Sequence, residues 1–519
     1  MRGIGGRRRT LLALVLPMLA CGAAAPSIYG QQGFQGGLPE ALGTNYEAQP
    51  DNQPPPPRQL APRGKNTLAR VRYWNQVAID SSGVDHTPVQ PGEDRVFGEQ
   101  LGPARTSRAF AIVHIAIFDS VNSVMGGYEG YTGLRPAPAG TSVDAAIAMS
   151  AHDTLAALYP SQTPRFDQFL THDLAQIPDT RAKTMGVDLG KRAAAAILAL
   201  RSNDGFQYAD PLVGIQFITS NLPGKWRQDP ISQIPLALGA YWKSVQPFVL
   251  SSATQFRAPP PPALTSSEYT RAFNETKRLG GDGVTTPTQR TPEQTFIGMF
   301  WGYDGTPSMG TPPRLYNQLA VQIAAGMGTD AVSLARLLAL VNVSLADTAI
   351  ATWESKYYYQ FWRPVTAIRE SDPGTGPTGR GDGNPATHGD PEFSPLGAQA
   401  SNLTGPNFTP PFPAYPSGHA GFGGALFEIL RQFYGTDDIA FTFTSDEFDG
   451  ITRDNQGNVR PLMPRSFTSL SDAEDENGQS RIYLGIHWRF DKMQGIELGN
   501  AVGDYVFANA FRPLSDYSR

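Results

Sequence analysis

The chain has 519 residues, with 42 Lys and Arg against 47 Asp and Glu, a net charge of −5 and one cysteine. That length allows one large unit or several domains. Dispersed basic residues in a mildly acidic chain exclude a nucleic-acid binder built on a basic stripe. The lone Cys21 excludes an internal disulfide, so the core must hold the fold unaided.

The first stretch, MRGIGGRRRTLLALVLPMLACGAAAP, sets a basic leader before an apolar run from Leu11 to Ala20 and then small residues. Residues 1–25 are expected to form a secretory signal peptide, too short for a stable membrane span. Arg8-Arg9-Thr10-Leu11-Leu12 resembles a twin-arginine export signal but lacks its usual phenylalanine, so a plain basic leader is an equal alternative. Either predicts a secreted or periplasmic protein. Cys21 follows a poor lipobox, which leaves its lipidation open. Residues 26–67, rich in Gln, Gly and Pro, are expected to be disordered or draped over the surface.

Helical patterns dominate from there. Arg105 to Val124 is apolar on all sides, as a buried helix requires. Val143 to Leu158 and Arg181 to Leu200 are Ala-rich helices. A Pro/Gly/Ser-heavy stretch from about Gln207 to Ser266 connects two halves. Ser267 to Arg278, Thr291 to Phe300, Arg314 to Ala325 and Asp330 to about Trp362 again read as helices. The Gly- and Pro-dense stretch from Ser371 to Ala414 is too long for a plain connection, and loops of that length are usually functional or disordered. No strand pair and no repeat stands out. No segment after the leader has 18 uninterrupted apolar residues, so no stable membrane span is expected. The class is mainly α.

Three stretches carry the chemistry. PAYPSGHAGFGGA turns a stiff loop into a helix, with Ser417 as N-cap and Gly418 and His419 at its first positions, where free N–H groups and the helix dipole favour an anion. ESKYYYQFWRP holds Lys356 and Arg363 seven residues apart, a spacing that puts both cations on one face of a helix ended by Pro364. So aromatic a stretch is a poor solvent face, so these cations need an anionic partner. SRIYLGIHWRFD holds Arg481 and His487, with Gly485 as the break that lets both converge, and Asp491 one turn beyond His487 to take its second ring proton. Each stretch alone reads as a capped core helix, a solvated stripe or a satisfied core histidine. Together they make a pocket of three cations, a hydroxyl, a helix N-terminus and two histidines, suited to a tetrahedral oxyanion.

Lys-x6-Arg-Pro, Pro-Ser-Gly-His and Ser-Arg-x3-Gly-x-His-x3-Asp, in this order, resemble the signature shared by vanadium-dependent haloperoxidases and type 2 phosphatidic acid phosphatases. FWGYDGTPSMGTPPRLYNQ, FWRPVTAIRE, PPFPAYPSGHAGFGGA and IVHIAIFDSVNSV extend the likeness to the fungal-type chloroperoxidases, over about Leu68 to Phe511. The resemblance implies an all-α fold of two helix bundles, 68–265 and 266–519, the second carrying the site. It implies vanadate as cofactor, bound by Lys356, Arg363, Ser417, Gly418 and Arg481, with His487 as the axial vanadium ligand and His419, also at the cofactor, as acid–base residue. Asp304 matches the aspartate that pairs with Arg481, and Trp353 and Phe412 match the halide environment. The implied reaction is oxidation of chloride or bromide by hydrogen peroxide to hypohalous acid, with Lys356 polarising the peroxide and an organic acceptor of unknown identity. Phenylalanine at 412 leans toward chloride, because algal bromoperoxidases carry histidine there. A secreted acid phosphatase is the alternative, with His487 as nucleophile and His419 as general acid. A non-catalytic oxyanion binder is the third reading, which two histidines at one anion site disfavour.

Overall fold

The computed structural model describes residues 61–398, 408–453 and 458–514; the leader with Cys21, and the Pro-rich segment up to residue 60, lie outside them. Five helices come first: α1 (Thr67–Asp85), α2 (Gly102–Met125), α3 (Val143–Leu158), α4 (Thr163–Ala175) and α5 (Arg181–Leu200). Eight follow: α6 (Ser267–Leu279), α7 (Pro292–Phe300), α8 (Pro312–Gly326), α9 (Ala331–Tyr359), α10 (Pro364–Glu370), α11 (Gly418–Tyr434), α12 (Leu470–Tyr483) and α13 (Arg489–Asn509). α2 to α5 pack on one another, α11 to α13 do likewise, and α9 touches both groups. One hydrophobic core runs through all of them, from Val71 to Phe511.

α9 organises the molecule. Asp330 caps it by accepting from Ser333 N at 2.9 Å, and every residue from Leu334 to Tyr357 is buried, which is why its sequence is apolar on all faces. The irregular stretch before α6 is laid along this helix by polar contacts. Asp347, buried in mid-helix, accepts from Phe248 N, Val249 N and Leu250 N at 2.6, 2.8 and 2.9 Å. Further along, Trp353 Nε1 and Tyr357 OH both donate to Leu238 O, at 3.1 and 2.9 Å. That stretch thereby becomes a wall of the site. Below the site α11 and α13 touch through small residues: a Cβ on Gly499 would lie 2.1 Å from Gly421 O, and one on Gly495 2.5 Å from Ser417 O.

Five helices, α1, α4, α10, α12 and α13, have no counterpart in the helical patterns read from the sequence. α1 buries Asn75 and Asp80 against His114 and Arg314, so polar residues occupy core positions and blur its period. α4 is short and half exposed. One strand pair also appears, Phe441–Phe443 antiparallel to Arg465–Phe467, each of three residues and too short to register as an alternation. α2 and α9 are long and apolar enough to cross a membrane by length and composition, but both are core helices here, the second buried from Leu334 to Tyr357.

Candidate functional site

Two of the three stretches line a cavity of about 80 Å³, together with Asp304, Trp353 and Phe412, through Gly418, His419, Arg481 and His487, while Lys356 and Arg363 stand behind that lining, against the Pro413–Pro416 loop and His487. Ser417 caps α11 by accepting from Ala420 N at 3.3 Å, and its own N–H donates to Asp491 O at 2.9 Å. Gly418 and His419 are therefore the first two residues of that helix, as the sequence suggests, and the positive end of its dipole faces the cavity.

Lys356 and Arg363 reach the site from different elements. α9 stops at Tyr359 because Gln360 turns left-handed, with φ of 51°, and Arg363 is the N-cap residue of α10 rather than a member of the same helix. The one-face argument for the pair therefore fails, although both cations are buried beside the same loop. Lys356 Nζ donates to the carbonyls of Pro413, Ala414 and Pro416 at 2.9, 2.9 and 2.6 Å. All three of its donors brace the loop that leads into Ser417. Arg363 Nε donates to Phe412 O at 2.9 Å, and its Nη1 to Ile486 O and His487 Nε2, both at 2.9 Å. Its Nη2 is buried without a partner among the described residues. Burial lowers both cations, Lys356 well below its ordinary value and Arg363 to about 9, and for Lys356 the charge of Arg363 adds to the effect.

Arg481 completes the cations. Its Nη1 donates to Asp304 Oδ2 at 2.7 Å and its Nη2 to Trp301 O at 3.1 Å, so the expected aspartate partner is the observed one. Burial raises Asp304, against the pull of Arg481. Gly485 breaks the chain between α12 and α13, with φ of 72°, which lets Arg481 and His487 line one cavity.

The two histidines differ in their partners. His487 Nδ1 lies 2.8 Å from Asp491 Oδ2, and Arg363 donates to Nε2. With the carboxylate as acceptor, Nδ1 carries the proton and Nε2 is the unprotonated nitrogen, whose lone pair accepts from Arg363 and would serve a metal only once that contact is given up. Burial lowers His487 well below its ordinary value, helped by Arg363 and Lys356, and raises Asp491 to about 7. Among the described residues neither ring nitrogen of His419 meets a partner in hydrogen-bonding geometry, although the Asn477 side chain lies near enough to favour its charge. Burial, then Arg481, hold it well below the usual histidine range. Its backbone is held by Tyr316 OH and Asn477 Nδ2, which donate to His419 O at 2.8 and 3.2 Å, and the Tyr316 ring meets the imidazole edge-on at 5.8 Å. Neither residue was singled out from sequence; Asn477 lies one turn before Arg481 on α12, and helical spacing was the one available signal.

Trp353 and Phe412 stand together on the aromatic side, ring centroids 5.0 Å apart, with Lys356 Nζ 5.1 Å and the Arg363 guanidinium carbon 4.9 Å from the centre of Phe412. Aromatic faces turned to two cations lower the cost of burying them.

Fold and site define a class: a helical protein with a buried cationic cradle, a helix N-terminus and two neutral histidines around a space for one oxyanion. The donor set fits such a group, because, among the described residues, the unpartnered Arg363 Nη2 and the two ring nitrogens of His419 are buried polar atoms that a bound oxyanion and its proton would satisfy. A family model described as the VCPO second helical-bundle domain matches residues 336–516. The vanadium chloroperoxidase of Curvularia inaequalis is 31% identical over 505 residues, covering 81% of this chain and 78% of that protein. A bacterial vanadium-dependent iodoperoxidase structure superposes with a TM-score of 0.67 at 22% identity, covering 88% of this chain and 100% of that one. A holo-type bacterial vanadium-dependent chloroperoxidase gives 0.57 at 16% identity, over 83% and 95% of the two chains. The chain belongs to the vanadium-dependent haloperoxidase family.

Proposed function

We propose that the protein binds vanadate in this cradle and uses hydrogen peroxide to oxidise chloride or bromide to hypohalous acid, which an organic acceptor then consumes. The observation that carries the reading is a buried cationic cluster, with unsatisfied donors, opening on an aromatic wall. Bound vanadate supplies Lewis-acid activation of peroxide toward halide. His487 Nε2 would hold the vanadium, and Asp491 keeps the ring in the tautomer that leaves Nε2 its lone pair. Arg363, Arg481, Ser417 and the N-terminal amides at Gly418 and His419 bind the oxyanion. Lys356 orders the Pro413–Pro416 loop and would add its positive charge from behind the oxyanion space. His419, neutral, takes up and returns the proton of the incoming peroxide. Trp353 and Phe412 give the halide an apolar berth beside two cations. The leader supports export, which cell fractionation with and without residues 1–25 would test.

The same cations could serve phosphate ester hydrolysis, but family membership and the Trp353–Phe412 wall favour halide. The deciding experiment gives chelator-treated protein peroxide, bromide and a halogenation-sensitive dye, with and without vanadate. Vanadate-dependent halogenation, blocked competitively by phosphate, is expected. His487→Ala should lose tight vanadate binding, while His419→Ala should keep much of it and lose roughly 10²–10⁴-fold in turnover. Equal turnover in the vanadate-free protein would defeat the assignment.

A further inference from the structure

The cavity has a second wall, built by the first part of the chain from Leu101, Gly102, Pro103 and His86. The chemistry above gives His86 no role, yet it is 1% exposed and sits at the end of α1. Its Nδ1 lies 2.8 Å from Ser82 O, which can only accept, so Nδ1 carries the proton. Gly102 N–H donates to Nε2 at 3.0 Å, so that nitrogen keeps its lone pair. The ring is neutral with both nitrogens engaged. Gly102 is the first residue of α2, and Leu101 before it offers no side-chain cap. The first N–H groups of a helix have no acceptor within the helix, and His86 supplies one from another element.

Its neighbours act in the same sense. Asp85 accepts from Glu99 N at 2.7 Å and Gln100 N at 2.9 Å, gripping the residues that lead into α2. Thr87 Oγ1 accepts from Ser308 N at 2.8 Å, in the loop that begins at Asp304, the partner of Arg481. Three consecutive side chains thus hold the start of α2 on one side and the Asp304 loop on the other.

We propose that Asp85-His86-Thr87 is a clasp that fixes the wall facing the oxyanion cradle, with His86 as a positioning residue for the space through which halide and acceptor reach His419. The kinetic consequence rests on the haloperoxidase reading; the clasp itself does not. Burial lowers His86 to about 4, so its acceptor nitrogen persists above that pH.

The test compares His86→Leu, which keeps bulk and loses the acceptor, with His86→Gln, whose carbonyl oxygen can take the Gly102 N–H. In the vanadate-loaded enzyme, His86→Leu should raise the KM for bromide severalfold, because the wall that begins at Gly102 loses its anchor. Vanadate affinity and kcat should stay within about twofold, because the cradle is built elsewhere, and His86→Gln should recover most of the KM. Leu and Gln variants that behave alike, or a joint loss of vanadate affinity and KM, would overturn the proposal. Should His86→Leu not fold, the wild-type protein still decides. A pyridine-type Nε2 in the nitrogen spectrum and a protected Gly102 amide are expected, and fast exchange of that amide defeats the clasp. A wild-type enzyme without vanadate-dependent turnover would defeat the functional reading alone, since both spectroscopic readouts remain.

Discussion

Two regions of this protein bury positive charge, and they do it differently. In the first group of helices each buried arginine meets carboxylates: Arg70 lies 2.8 Å from Asp173 and 3.1 Å from Asp144, and Arg108 lies 2.8 Å from Asp204. In the cradle, no carboxylate pairs with Lys356 or Arg363 among the described residues; carbonyl oxygens and one imidazole take their place. Desolvation is offset in the first case by a full opposite charge in contact and in the second by carbonyl dipoles, an aromatic face and carboxylates that are not in contact. Paired charges of the first kind fix helices together. Cations of the second kind keep an unmet demand for negative charge, which an oxyanion supplies.

The largest expected effect falls in the first region. Arg70→Met leaves Asp173 and Asp144 buried without their partner and should destabilise the protein by about 3–5 kcal/mol in denaturant titrations. A loss below about 1 kcal/mol would erase the contrast between the two regions.

The contrast also explains what the sequence allows one to read. Motif spacing in a helix-rich chain pointed to Ser417, His419, Arg481 and His487, because a capped helix start and a glycine break are local events. Pairing of Asp491 with His487 followed from one turn of helix. What stayed hidden depends on chain segments far apart. Arg363 left the helix because Gln360 turned left-handed, and Lys356 met carbonyls 57 to 60 residues downstream. His86 faced the cavity only because the α1 end packs on the α2 start, a tertiary contact with no local signature. The irregular stretch around Leu238 looked like a connector and became a wall, since Trp353 and Tyr357 donate to its backbone.

A smaller effect tests the aromatic side. Phe412→His would place a titrating, hydrogen-bonding group against Trp353, Lys356 and Arg363. Chloride oxidation should fall more than bromide oxidation, changing their ratio by roughly tenfold, about the worth of one polar contact. An unchanged ratio from pH 5 to about 8 would make Phe412 a packing residue.

The smallest effect lies in the first region again. His152 bridges Asp153 and Asp167, each at 2.8 Å; burial opposes its charge, but these partners outweigh it and raise its pKa. A folded pKa above the unfolded value of about 6.5 stabilises fully below that pH, and the contribution disappears as pH rises through the raised value. The stability difference between wild type and His152→Gln should therefore be below about 1 kcal/mol, full at about pH 5 and shrinking as pH rises through the raised value.

The most direct test of the account is thermal and chemical unfolding of Arg363→Met beside wild type, each with and without vanadate. Without vanadate the variant should lose less than Arg70→Met, about 1–3 kcal/mol, because it leaves two carbonyls and an imidazole without a donor rather than two paired carboxylates. Vanadate should stabilise wild type by mass action, and the variant's affinity should fall roughly 10- to 100-fold through loss of charge-assisted hydrogen bonds. A variant that unfolds as readily as Arg70→Met without vanadate, yet still binds vanadate like wild type, would show that Arg363 holds the fold together and would contradict the account.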